Sequence, residues 1–170
     1  APAGEEHLGV SATPEELYRR ANRVYDDNLI RVEADELTYH MHIVLRFDIE
    51  RDLIRGDLEV DEVPRVWNDK SEAYLGVRPD SDREGCLQDP HWSNNLPGFI
   101  GYTVGSVLAA QLDATMREDL DVDALVRAGE VGPIREWLTD RVHRHGRRYR
   151  TDELVERATG EPLTAEYFLE

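Results

Sequence analysis

The sequence has only one cysteine, Cys86, and only one lysine, Lys70, among its 170 residues. A single cysteine excludes an internal disulfide and is compatible with a reducing compartment, so we expect a cytoplasmic protein. No stretch approaches the ~20 apolar residues of a membrane span. The first residues also lack the charged and then apolar pattern of a signal peptide. The sequence therefore predicts no membrane partner.

Positive charge is also scarce. Against 36 aspartates and glutamates there are 20 lysines and arginines, which gives a formal net charge of −16. The acidic residues are spread along the chain, which favours a halophilic protein working where salt shortens the screening length to ~3 Å. The alternative is an acidic surface that binds cations or mimics a partner. In either case the charge argues against nucleic acid as a partner, because neutralising phosphates needs a basic face.

Helical periodicity is abundant, and it is clearest in residues 29–56. A helix from Val32 to Arg55 would be ~36 Å long, with Gly56 as the left-handed residue that ends it. Arg31 and Asp35, four positions apart, would emerge near its N-terminal end. Spacings of three and four place its apolar residues in one stripe: Ala34, Leu37, Met41, Val44, Leu45, Ile49, Leu53 and Ile54.

Further helices are predicted along the rest of the chain. Thr13 would cap the first of them, with Pro14 at its first position and Glu16 at its third. The predicted helices cover residues 14–27, 63–75, 99–118, 121–128, 132–145 and 151–159, after an irregular lead-in over residues 1–12. No segment has the pattern of a strand. The fold class predicted from the sequence is therefore all-α.

Residues 77–98 form a predicted loop that is longer than most compact domains contain without a functional reason. Four side chains of mixed chemistry lie close together in it: Gln88, Asp89, His91 and Trp92. They would supply an amide, an acid, an imidazole that the acid can orient, and an aromatic wall, as a functional site requires. The alternative is a loop held by an aspartate cap, with Trp92 packed beneath it. The residues alone leave both interpretations open.

Histidine spacing argues against a metal site within this chain. His40 and His42 are two residues apart, as are His143 and His145, and on a helix this spacing directs side chains to different faces. A helical metal pair needs a spacing of three or four, as in H-E-x-x-H, which the sequence lacks. We therefore predict no metal ligand in this chain. The lone Cys86 lies in no pattern that marks an activated nucleophile.

Arg31 precedes the long predicted helix and is a candidate for anion recognition. A guanidinium beside the free N–H groups of a helix N-terminus suits a carboxylate. The alternative is a surface contact with Asp35 or Glu33, and the residues taken alone favour that contact.

Two short motifs resemble those of a known family. Residues 30–35 read I-R-V-E-A-D and residues 85–92 read G-C-L-Q-D-P-H-W. They resemble the I-R-x-x-A-D and G-x-x-Q-D-x-H-W motifs of the carboxypeptidase Taq family of zinc metallocarboxypeptidases, and the resemblance extends over essentially the whole chain. It implies long helices that form one side of a deep cleft. The chain would be the C-terminal part of a larger helical metallopeptidase, usually a homodimer.

The resemblance also implies what the chain does and what it lacks. The family's zinc ligands come from an H-E-x-x-H helix and a later glutamate, and neither motif is present in these residues. The complete enzyme would use zinc, or another divalent metal, to hydrolyse the last peptide bond of peptides with broad specificity. This chain would bind no zinc and would be inactive by itself. The alternative function is a self-contained acidic helical interaction domain without catalytic activity.

By the same resemblance, particular residues would form the substrate side of the site. Arg31 would take the free C-terminal carboxylate of the peptide. His91 would be catalytic and would stabilise the tetrahedral oxyanion. The other substrate-binding residues would be Gln88, Asp89, Trp92 and Tyr102, the last in place of a tyrosine from the family's aromatic segment.

Overall fold

The computed structural model describes residues 12–25, 28–94 and 96–170, although not the side chains of residues 93 and 94. Apart from Ala12, the predicted lead-in lies outside the described residues. All regular structure in these ranges is helical, so the prediction of an all-α fold is confirmed. The chain divides into two compact units, Ala1–Ile100 and Gly101–Glu170. No helix in the described ranges is both long enough and apolar enough to cross a membrane.

The first unit is built around two helices that pack against each other, α2 and α3. Its described helices are α1 (Pro14–Ala21), α2 (Glu36–Arg55), α3 (Val63–Leu75) and α4 (His91–Asn94). Short 3₁₀ turns occupy Arg31–Glu33, Val60–Glu62 and Cys86–Gln88. α3 has the bounds that the sequence predicts, and Gly76 ends it in the left-handed conformation with φ of 72°.

The start of α1 is as predicted, but its end is not. The Thr13 side chain accepts a hydrogen bond from the Glu16 N–H, and the Glu16 side chain bonds the Thr13 N–H in return. The helix stops at Ala21 instead of residue 27 because Asn22 caps it. Both the backbone N–H and the side-chain amide of Asn22 donate to the Tyr18 carbonyl. Such a side-chain bond competes with continuation of the helix.

The long helix α2 begins later than predicted. Arg31–Glu33 form a 3₁₀ turn, and Asp35 is extended and acts as the N-cap. Its Oδ1 accepts hydrogen bonds from the N–H groups of the second and third helical residues, both at 3.0 Å. An aspartate here satisfies N–H groups that have no partner within the helix. The predicted start at Val32 is wrong because this cap requires extended backbone, and α2 is therefore ~30 Å long.

The buried face of α2 differs from the predicted apolar stripe. Leu45 and Ile49 are fully buried as predicted, but Leu37 and Ile54 are 73% and 56% exposed. The buried positions on this helix are His42, Ile43, Leu45, Arg46, Ile49 and Glu50. Half of that face is polar, and apolar periodicity cannot detect polar side chains that bond one another. The predicted stripe is therefore wrong at Leu37 and Ile54.

The segment that follows α3 packs against the hydrophobic core of the first unit. The buried residues of this core are Leu45, Ile49, Leu58, Val63, Trp67 and Cys86, with Trp92 packed against them. Gly85 lies where the segment passes close to Trp67 of α3. A Cβ there would be 3.2 Å from Trp67 Cδ1 and 3.3 Å from the Ser81 carbonyl oxygen, so glycine permits the approach. Residues 77–98, predicted as a loop, contain the turn Cys86–Gln88 and the helix α4.

The second unit contains most of α5 (Ile100–Asp119), followed by α6 (Val122–Ala128), α7 (Gly132–Arg141), a 3₁₀ turn (His143–His145), α8 (Thr151–Thr159) and α9 (Glu166–Leu169). α7 ends at Arg141 instead of residue 145 because the 3₁₀ turn follows it. Thr151 is the first residue of α8 and not its cap, a place that Arg150 takes without a side-chain hydrogen bond.

Gln111 ties the end of the chain to α5. Its side chain is fully buried. The amide nitrogen donates to Thr159 Oγ1 and to the Pro162 carbonyl, each at 3.1 Å. The amide oxygen accepts from the Thr164 N–H at 3.0 Å. One buried amide with all these bonds therefore fixes the chain beyond α8.

Candidate functional site

Asp89 lies at the centre of a buried cluster that joins the two sequence motifs. Arg31, from the 3₁₀ turn before α2, donates from Nη2 to Asp89 Oδ1 at 3.0 Å and from Nε to Oδ2 at 3.4 Å. The two residues are 58 positions apart in the sequence. Paired N–H donors from one guanidinium fix the orientation of both groups. The structure thus places Arg31 against Asp89, and the surface contact that the residues alone favour is wrong.

Arg46 is a second guanidinium in the cluster, and sequence reasoning missed it. Its side chain is 0% exposed, and its Nε donates to Asp89 Oδ2. Nη2 donates to Gln88 Oε1 at 3.1 Å, and Nη1 donates to the His42 carbonyl at 2.8 Å. The guanidinium carbon lies 4.5 Å from the ring centroid of Trp67. Arg46 therefore connects α2, α3 and the segment that carries Gln88 and Asp89.

The charges in this cluster stabilise one another. Burial by itself would raise the pKa of Asp89, but the Arg31 hydrogen bond and the Arg46 charge outweigh it and lower that pKa. Burial lowers the pKa of Arg46 to about 10 against the opposing attraction of Asp89. For Arg31, burial is outweighed by Asp89 and Tyr39, which raise its pKa. All three groups are therefore charged at neutral pH.

His91 is the first residue of α4, and its ring faces the same carboxylate. Its Nδ1 lies 3.3 Å from Asp89 Oδ1, the oxygen that also receives Arg31. The other side of the imidazole lies against Phe99, with ring centroids 4.7 Å apart. A carboxylate on one ring nitrogen selects the tautomer and the orientation of the imidazole. The structure places the acid beside the imidazole, and a role of Asp89 in orienting the ring stays a prediction.

Gln88 and Trp92 hold the backbone around Asp89. The Gln88 amide donates to the carbonyls of Leu29 and Glu84 at 2.9 and 2.8 Å. Trp92 Nε1 donates to the Cys86 carbonyl at 2.7 Å, and its ring packs beneath the segment. The packed tryptophan of the alternative interpretation is thus present, but Asp89 bonds two arginines instead of serving only as a cap. Direct contact of Gln88 or Trp92 with a substrate stays a prediction.

Tyr102 belongs to the second unit. It lies on α5 and is 40% exposed, and its substrate-binding role stays a prediction.

Two further buried polar residues on α2 support the cluster. His42, one turn before Arg46, is 1% exposed. Burial and the Arg46 charge lower the pKa of His42 to about 4, so its ring is neutral at neutral pH. Glu50, one turn after Arg46, accepts hydrogen bonds from the N–H groups of Gly98 and Phe99 at 2.6 and 3.3 Å. The spacing of four places these polar residues on one face of the helix, but it does not show that the face is buried.

In the described part of the chain, the Asp89 cluster does not contain a set of metal ligands. Within residues 12–25, 28–94 and 96–170, no three His, Cys, Asp or Glu side chains lie together in a way that could hold a metal ion. The donors around Asp89 are arginines, whose positive charges oppose a cation. This donor set does not fit zinc.

An apolar groove of about 780 Å³ lies elsewhere on the first unit. It is lined mainly by apolar residues of α2, α3 and the turn between them, together with Cys86, Leu87, Trp92 and Leu96. None of Arg31, Asp89 or His91 lines it. The groove has the size of a ligand pocket, but its charged lining residues are Glu59 and Asp61, which would repel the C-terminal carboxylate of a peptide. The Asp89 cluster is therefore the better candidate site.

Comparison with known proteins gives one consistent result. The sequence profile of the family described as "Carboxypeptidase Taq (M32) metallopeptidase" matches residues 5–170. Carboxypeptidase 1 of Bacillus subtilis is 44% identical over 145 residues, covering 84% of this chain and 29% of that protein. Thermostable carboxypeptidase 1 of Pyrococcus furiosus is 42% identical over 159 residues, covering 92% of this chain and 32% of that protein.

Solved structures agree in fold. Trypanosoma cruzi metallocarboxypeptidase 1 superposes with a TM-score of 0.92 at 42% identity, covering 99% of this chain and 36% of that one. A Pyrococcus furiosus carboxypeptidase superposes with a TM-score of 0.93 at 40% identity, covering 99% of this chain and 34% of that one. The chain thus spans about a third of the length of the relatives that it matches.

Proposed function

Because the chain belongs to the carboxypeptidase Taq (M32) metallopeptidase family, we propose that it is the C-terminal portion of a zinc metallocarboxypeptidase. The complete enzyme hydrolyses the last peptide bond of peptides with broad specificity. The chain supplies groups that bind the substrate and stabilise the charge that develops during hydrolysis. The single observation that carries this proposal is the carboxylate of Asp89, which accepts hydrogen bonds from Arg31 and lies 3.3 Å from His91 Nδ1.

Each residue of the cluster has a role in this proposal. Arg31 binds the free C-terminal carboxylate of the peptide, because a guanidinium forms short, charge-assisted bonds to carboxylates. His91 is catalytic and stabilises the oxyanion that develops during hydrolysis. Gln88, Asp89 and Trp92 shape this part of the site, and Tyr102 contributes a hydroxyl to substrate binding.

Zinc, or another divalent metal, belongs to the complete enzyme in this proposal. The described residues offer no suitable set of ligands, so we assign the ligands to the part of the relatives that this chain does not span. The isolated chain then binds no catalytic zinc and hydrolyses nothing. We also propose that the enzyme is cytoplasmic, in line with its single cysteine. We propose that it is a homodimer because members of the family that it resembles usually are.

An exchange of segments tests this function. The chain replaces the matching 145-residue segment of Bacillus subtilis carboxypeptidase 1, giving a protein that we call the exchange enzyme. We expect it to release C-terminal residues from peptides and to lose this activity in the presence of a chelator, with the parent enzyme as the control. The isolated chain should release none. A folded exchange enzyme without activity, or chelator-sensitive hydrolysis by the isolated chain, would contradict the proposal.

The acidic composition adds a proposal about salt. With a net charge of −16, the folded chain is destabilised by repulsion that molar salt screens. We therefore expect the melting temperature of the isolated chain to rise steadily from ~0.1 M to ~2 M KCl, where the screening length is only a few ångströms. Equimolar sucrose controls for general solute effects. A melting temperature that is flat over this range would remove the halophilic interpretation.

A further inference from the structure

We propose that Arg46 is the positioning residue of this site, holding Asp89 and Gln88 in the orientation that Arg31 and His91 require. The inference rests on the proposed function and adds a residue that lies in neither sequence motif. Arg46 touches no substrate in this proposal. It acts through the carboxylate and the amide that it holds.

The two oxygens of the Asp89 carboxylate have different partners. Arg46 Nε bonds Oδ2, while Oδ1 receives Arg31 at 3.0 Å and faces His91 Nδ1 at 3.3 Å. Rotation of the carboxylate would exchange its two oxygens and change the positions of both partners. Arg46 opposes that rotation because its guanidinium is held on three sides. Removing Arg46 should therefore misplace Arg31 and His91 together.

The position of Arg46 is itself fixed by rigid elements. Its stem belongs to the buried face of α2, and its Nη1 bonds the His42 carbonyl of the same helix at 2.8 Å. Trp67 on α3 covers the guanidinium plane at 4.5 Å. Its Nη2 holds the Gln88 side-chain carbonyl at 3.1 Å. Sites supported by helices retain their geometry better than sites supported only by loops.

The chemistry of these contacts requires arginine in particular. A lysine ammonium carries the same charge, but it cannot present several donors in one plane or stack on an indole in the same way. Burial lowers the pKa of Arg46 only to about 10, so the side chain stays charged at neutral pH. Burying the guanidinium costs solvation energy. In this proposal the cost is accepted because the guanidinium positions Asp89 and Gln88.

The experiment measures kcat/KM of the exchange enzyme for peptides with a free C-terminus. We expect Arg46→Lys to lower it by ~10²-fold, the scale of a displacement of reacting groups by about 1 Å. Because Arg46 acts largely through Asp89, the Arg46→Lys/Asp89→Asn double variant should lose less than the product of the two single losses. The matched control is Arg51→Lys on the same helix, whose arginine is partly exposed and bonds Asp48 and Asp52. It should retain full activity.

Several outcomes decide the inference. Full activity in a folded Arg46→Lys variant overturns it, and so does a double variant in which the two losses multiply. If Arg46→Lys does not fold, Trp67→Phe, which reduces the ring that covers the guanidinium, takes its place. Reduced kcat/KM in that folded variant supports the inference, and unchanged kcat/KM overturns it. An inactive wild-type exchange enzyme would instead contradict the proposed function, so the two failures are distinguishable.

Discussion

Replacing Asp89 by asparagine is expected to lower the free energy of unfolding by about 3–5 kcal/mol, the range for removing one partner of a buried ion pair. The substitution keeps the size and shape of the side chain but removes the negative charge that Arg31 and Arg46 share. Arg46 is fully buried, so water cannot readily replace the lost carboxylate. Native stabilities are only ~5–15 kcal/mol in total, and the variant should therefore unfold at a much lower denaturant concentration.

Tryptophan fluorescence during urea unfolding provides the measurement for Asp89→Asn. Trp67 and Trp92 lie in the first unit and Trp137 in the second, so a Trp137→Phe background confines the signal to the unit that contains Asp89. The matched control is Asp69→Asn, because Asp69 also pairs with two arginines but at an exposed position. Exposed pairs contribute little, and its unfolding midpoint should hardly move. An unchanged midpoint in Asp89→Asn would contradict the assignment of Asp89 as the central partner.

The effect of Asp89→Asn should also depend on pH. Burial tends to raise the pKa of Asp89, but Arg31 and Arg46 lower it below its usual value. A carboxylate with a lowered pKa stabilises the folded chain fully above its unfolded pKa of ~3.9 and loses this contribution as the pH falls through the folded value. The difference in unfolding free energy between wild type and variant should therefore be largest near neutral pH and shrink in acid.

The helix ends that glycine marks were predictable because their chemistry is local. Gly56, Gly76 and Gly160 all end helices in the left-handed conformation, as glycine after an apolar-periodic segment predicts. The Thr13 cap was predictable for the same reason. Asp35 was misjudged because the apolar stripe was extended past it to Ala34. An aspartate directly before a helical segment is a typical N-cap. If this cap had been given priority over the apolar periodicity, the start of α2 at Glu36 would have been predicted.

The buried polar face of α2 was not predictable from periodicity, for a physical reason. Hydropathy treats Arg46 and Glu50 as surface residues, and each is stabilised in the interior only by partners distant in sequence. Asp89 is 43 positions from Arg46, and Phe99 is 49 from Glu50. A single sequence contains no information on which distant groups will pair. The family motifs included Arg31 and Asp89 among the candidate site residues, but they could not show that the two side chains bond each other.

Replacing Arg31 by alanine in the exchange enzyme is expected to lower kcat/KM by ~10²-fold for peptides with a free C-terminal carboxylate. This corresponds to ~2.7 kcal/mol and matches the loss of a charge-assisted contact. The measurement compares each peptide with its C-terminally amidated form, which offers no carboxylate to the guanidinium. Arg51→Ala is the matched control, because it removes an arginine of the same unit that pairs outside the Asp89 cluster.

The amidated peptides separate two ways in which Arg31 could matter. The structure shows Arg31 bound to Asp89, so its removal could also act by releasing the carboxylate that faces His91. Loss by that route would affect free and amidated peptides alike, because His91 acts at the scissile bond in either case. Loss of the carboxylate anchor would affect only the free peptides and would appear mainly in KM. An unchanged ratio of the two activities would exclude Arg31 as the anchor and leave it a partner of Asp89.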